Sequence, residues 1–129
     1  MKTEILKEKY VRYNLTKDDV FKHQHYIIIT RSGIEKIMAL ENILINYEVI
    51  KCEKDFCVVK AEAYKGEAII QTFGSALKGD FKSGTTNSWY VMEMAEKRAM
   101  SRAVLKLTGF YELGVFGEDE AEDFKKSNN

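Results

Sequence analysis

Proline is absent from this chain, and several other residue types are scarce enough to exclude whole classes of protein. Without proline or a low-complexity stretch, nothing marks a linker, so the 129 residues read as one continuous domain. The two cysteines, Cys52 and Cys57, are too few for a disulfide scaffold and fit a reduced intracellular protein. Their spacing sets them beside a tight turn between strands, as small hydrophobes. No apolar run is long enough to span a membrane, and the N-terminal MKTEILKEKY lacks the apolar centre of a signal peptide. The expected location is the cytoplasm.

Catalytic signatures are missing as well. There is no G-x-S-x-G, no H-E-x-x-H and no phosphate-binding loop of the nucleotide-hydrolase kind. His23 and His25 flank Gln24 and would offer two imidazoles, but only Asp18 and Asp19 lie near them as further ligands. They read as surface or half-buried side chains, with no metal. Glu93 and Glu96 read as a solvated pair on a helix. No nucleophile, base and orienting group belong together, so the sequence predicts a protein that is not an enzyme and needs no cofactor.

Net charge is zero, from 20 basic and 20 acidic residues, yet the charges are segregated. Residues 97–111 hold four cations and no acid. Residues 112–129 hold six acids (Glu112, Glu118, Asp119, Glu120, Glu122, Asp123) against two lysines. Within Trp89–Phe110, which reads as a long helix, Ala95, Ala99 and Ala103 recur every four residues and form a small-residue seam for close packing. Arg98, Arg102 and Lys106 share that spacing on a neighbouring face, a cationic row with no acid between Lys97 and Tyr111.

The pattern along the chain predicts an α+β fold: an antiparallel sheet of three to four strands with a long C-terminal helix packed on it. Residues 1–25 read as an N-terminal extension, 26–111 as the core and 112–129 as an acidic tail. Thr16 and Asp19 have capping-box spacing and predict a short helix over 16–23. The run from His25 to Thr30 reads as a buried strand. Ser32 and Glu35 cap a second helix that ends near Asn42. Three strands follow at 47–53, 56–64 and 67–77, with turns at Lys54-Asp55 and Lys65-Gly66 that force antiparallel neighbours. Residues 78–88 form a polar loop, and Gly109 ends the long helix.

These features favour nucleic acid as a partner. Lys78, Phe81 and Lys82 interleave cations with an aromatic ahead of the helix, where lysines would meet phosphates and an exposed ring would stack on bases. Residues 86–88, at the expected helix start, offer free N–H groups to an anion, with Asn87 or Ser88 as the cap. Trp89 and Tyr90 at the helix start read either as further stacking aromatics or as anchors of the helix on the core, the core being the favoured place for Trp89. Lys97, Arg98, Arg102 and Lys106 complete the candidate site. The acidic tail reads as a docking peptide for a partner, a competitor for the protein's own basic face, or a solvated helix end.

Met94-Ala95-Glu96-Lys97-Arg98-Ala99, then Arg102, Leu105-Lys106-Leu107, Gly109 and the acidic run 118–124 resemble small proteins of phages and mobile elements. With the upstream strands ending in Thr72-Phe73-Gly74-Ser75-Ala76, residues 26–124 are similar to the core of the single-strand annealing proteins of phage recombination. The resemblance implies sequence-independent single-stranded DNA binding in a basic groove, assembly into homo-oligomers, and Lys97, Arg98 and Arg102 as backbone contacts. The chain is shorter than typical annealing proteins, which leaves room for an accessory or inhibitor acting through the tail or a sheet edge on a host or phage recombination protein. The helix, three-strand, helix order also resembles the double-stranded RNA-binding domain, although the K-K-x-x-A pattern at the helix start is absent.

Overall fold

The computed structural model describes residues 2–79, 84–86 and 89–120. The elements in order are α1 (Lys2–Arg12), β1 (Val20–His23), β2 (Tyr26–Ile29), α2 (Arg31–Leu40), β3 (Leu44–Cys52), β4 (Phe56–Lys65), β5 (Ala68–Leu77), α3 (Val91–Leu107) and β6 (Val115–Gly117). Short 3-10 turns at Tyr111–Leu113 and Glu118–Glu120 flank β6. The class is α+β, as the pattern predicts.

The central meander is antiparallel, with β4 between β3 and β5. Alternation along β4 sends Cys57, Val59, Ala61 and Ala63 inward, and Thr72, Gly74 and Ala76 follow suit on β5. Those inward residues are small, and α3 lies directly on them. Ala95, Ala99 and Ala103 are fully buried there, so the alanine seam is the packing face. Gly74 sets the separation: a Cβ at that position would lie 2.1 Å from the Ala95 carbonyl oxygen and 2.5 Å from the Ala99 nitrogen. The Thr72 hydroxyl adds a hydrogen bond to the Ala99 carbonyl at 2.7 Å. Gly109, at φ +80°, takes the left-handed conformation that follows the helix end.

A second sheet differs from the expected single one. β1 pairs antiparallel with β2, and β2 pairs in parallel with β6. Ile28, Ile29 and Val115 are fully buried in it. Parallel pairing joins segments far apart in sequence and leaves no local spacing to read. It also turns residues 115–120, expected in the tail, into part of the folded body.

Three local readings change too. Residues 2–12 are helical, and the Lys9 ammonium donates to the Thr108 carbonyl at 2.6 Å, closing the C-terminal end of α3. Over 16–23 the capping-box bond does form, from the Thr16 amide to Asp19 at 2.9 Å, but the chain then runs into β1. Val20 and Phe21 gain ladder partners in Ile29 and Ile28, and that pairing outweighs a one-turn helix. For α2 the cap is Thr30, whose hydroxyl accepts from the Gly33 amide at 3.2 Å. The Ser32 hydroxyl instead donates to Asp19 at 3.1 Å.

Candidate nucleic-acid interface

The cationic row does not stand free on the helix surface. Arg98 is 1% exposed, and its guanidinium donates to the carbonyls of Ser75 at 2.7 Å, Thr85 at 2.9 Å and Asp119 at 3.0 Å. Arg102 donates to the Phe73 carbonyl at 2.8 Å and pairs with Glu120 at 3.0 Å. Phe73 and Ser75 belong to β5, and the Leu77 carbonyl accepts from the amides of Thr85 and Thr86. The two arginines and the loop therefore satisfy successive carbonyls along the outer edge of β5. An edge strand closed in this way has few groups left to pair with another chain. The expectation that Arg98 and Arg102 meet a DNA backbone is corrected for Arg98, which is sealed from solvent, and weakened for Arg102, whose charge is already matched.

The remaining predicted residues scatter. Lys97 is half-buried beside the Asp119 carboxyl, whose pKa is raised by burial and partly restored by the Ser101 hydroxyl and the Lys97 charge. Lys106 is exposed, with its ammonium 5.2 Å from the Tyr111 ring centre. Phe81 and Lys82 lie outside the described residues, as do Asn87, Ser88 and the tail from 121 onward, with Glu122, Asp123 and Phe124. The start of α3 is Val91, with Tyr90 at the cap position, and of the anion site expected at 86–88 only Thr86, a buried residue, is described. Of the described tail acids, Glu112 is exposed and the other three hold contacts on the folded body. Glu118 accepts from the Arg31 amide at the start of α2 (2.8 Å), Asp119 from the Ser101 hydroxyl (3.0 Å), and Glu120 from Arg102.

What the sequence reading missed lies at the other end of the helix. Trp89, expected in the core, is 59% exposed. The ammonium of Lys78 stands 4.7 Å from its ring centre and that of Lys54 stands 5.5 Å away. The Lys78 amide donates to the Asp55 carbonyl at 2.7 Å, which ties the end of β5 to the β3–β4 turn that carries Lys54. An exposed indole attended by two ammonium groups is a cation–π cluster at the surface. Lys54 was legible only as a turn residue, because its neighbourhood to Trp89 depends on the meander. Farther along, Lys51 stands 5.9 Å from the Phe56 ring, and Phe73 on β5 is half-exposed opposite Lys60.

Among the described residues no group of three or more His, Cys, Asp or Glu side chains is placed to hold a metal. His23 is half-buried and His25 exposed, at the β1–β2 turn. No described helix is long and apolar enough to cross a membrane. Compared with known proteins, the chain matches no family model, no curated protein and no solved structure.

Proposed function

We propose that this protein binds single-stranded DNA without regard to base sequence, as its resemblance to the annealing proteins implies, and that Trp89, Lys54 and Lys78 form the contact. The observation that carries this reading is the exposed Trp89 ring between two lysine ammonium groups. A base offers a flat face to the indole, and its flanking phosphates offer charge to the lysines. An incoming base displaces an ammonium from the ring onto the neighbouring phosphate. Duplex DNA has no unstacked base to give, so the single strand is preferred. Arg98 and Arg102 support the site by holding β5 and α3 together.

Trp89 is the only tryptophan in the chain, so its fluorescence reports this site directly. Single-stranded oligonucleotides should quench it, with little difference among base compositions. If Lys54 and Lys78 each neutralise one phosphate, the log–log salt slope is about −1.4. Raising salt from 50 to 200 mM then weakens binding roughly sevenfold. Trp89→Ala should weaken binding by about 5- to 150-fold, the range expected for one base stacked on an aromatic ring. Unquenched fluorescence together with salt-independent or duplex-preferring binding would remove the proposal.

Self-association with a second copy of the chain is proposed on a separate observation. Among the described residues β3 pairs only with β4, and Leu44, Tyr47, Val49 and Ile50 on it are exposed, whereas the opposite edge at β5 is closed by arginines. Light scattering at micromolar protein should show an oligomer that Ile50→Lys disperses. A strict monomer with and without DNA would exclude it and favour action through a different partner.

A further inference from the structure

Cys52 and Cys57 face each other across the β3–β4 hairpin, directly opposite in register, with 3.4 Å between their sulfurs. The next pair toward the turn is closed by the Glu53 amide donating to the Phe56 carbonyl at 2.7 Å. Ladder bonds alternate along an antiparallel pair, so the cysteines occupy the site without them, where Cα atoms approach to about 4.5 Å. A disulfide accepts Cα separations of about 4.4–6.8 Å, so the backbone is already in range. Two thiolates gripping one thiophilic metal ion in line would need their sulfurs farther apart. No third ligand group is gathered there among the described residues.

The two thiols differ in access. Cys52 is exposed and Cys57 is fully buried. Burial pushes the Cys57 thiol up, and its proximity to Cys52 adds to the effect. An attacking and a resolving thiol are thereby distinguished by position.

We propose that Cys52 and Cys57 form a reversible cross-strand disulfide by exchange with a small-molecule disulfide of the oxidised glutathione class. Cys52 loses its proton to water, and its thiolate attacks one sulfur of the small disulfide. That S–S bond breaks, and the departing thiolate takes a proton. Cys57 then gives up its proton and attacks Cys52 Sγ, which expels the second small thiol. The protein loses two electrons and two protons, and the small disulfide gains both as two thiols. The bond closes the hairpin two residues from Lys54 and so tightens the turn that carries this lysine to Trp89. The inference does not depend on the nucleic-acid reading.

The test uses the full chain, reduced and then incubated with graded ratios of oxidised to reduced glutathione, and read by intact mass and free-thiol titration. Both thiols should disappear together, leaving a monomeric chain lighter by two hydrogens with no glutathione attached, and a dithiol reductant should restore them. Cys57→Ala should stop at a glutathione adduct on Cys52, whereas Cys52→Ser should remain unmodified while folded. The Cys52→Ser variant changes an exposed side chain, so it keeps the test open if the buried substitution fails to fold. A wild-type chain that stops at the adduct, links to a second chain through its thiols, or keeps both thiols throughout would overturn the proposal.

Discussion

Asp19 takes a proton less readily than any ordinary aspartate, and the reason lies in its neighbours. The Lys36 ammonium reaches it at 2.7 Å, and the Thr16 amide and the Ser32 hydroxyl add hydrogen bonds. Against the opposing effect of burial, these hold its carboxyl at about 2, with Lys36 contributing most. The folded pKa lies below the unfolded value of about 3.9, so the stabilisation is complete above that pH. It is lost as pH falls toward about 2. Asp19→Asn should cost about 2 kcal/mol at neutral pH, and urea titrations should show the gap to wild type closing through that acidic window. A gap unchanged at pH 2 would place the cost elsewhere. Residue identity made the Thr16–Asp19 bond legible in the sequence, but Ser32 and Lys36 were not, because α2 returns to Asp19 only in the fold. Arg98 teaches the same lesson: its spacing was readable, but its acceptors on Ser75, Thr85 and Asp119 come from other elements.

At the scale of elements, the contact of α3 with β5 is the most demanding. Gly74→Ala sets a methyl group against helix backbone atoms, which cannot swing aside as a side chain would. Overpacking costs about 1–3 kcal/mol, and rigid neighbours argue for the upper part of that range. Chemical denaturation should show a clearly lower midpoint, and an unchanged one would mean that the helix rides farther from the sheet. Of the elements read in advance, α2, β4, β5 and α3 carry their own periodic signal over ten or more residues, β2 is a β-branched apolar run, and β3 runs up to a turn signal at Lys54-Asp55. Those that could not are short or thinly apolar. Leu6 is the one buried residue of α1, and β6 has three residues, with meaning only beside β2. The candidate site was half legible for a similar reason: Lys78 lay in the predicted loop, whereas Lys54 and an outward Trp89 required the end of the meander to be in place.

For the molecule as a whole, the segment after α3 is a closing strap rather than an appendage. Val115 is fully buried, and Glu118, Asp119 and Glu120 each hold a contact on α2 or α3. Deleting residues 115–129 should therefore lower the melting temperature sharply, whereas deleting 121–129 leaves every one of these contacts in place and should lower it less. Equal loss in the two truncations would show that β6 is not what matters. The parallel pairing of β2 with β6 also dictates an order of events during synthesis. While the ribosome is still making α3, β1 and β2 have only each other in the sheet and α2 beside them, and a two-stranded hairpin without its third strand is weakly held. The meander, by contrast, pairs neighbours as soon as they emerge. Long-range pairing is the slow part of folding. The chain should therefore mature in two stages, with Ile28 and Ile29 incompletely covered until β6 leaves the exit tunnel.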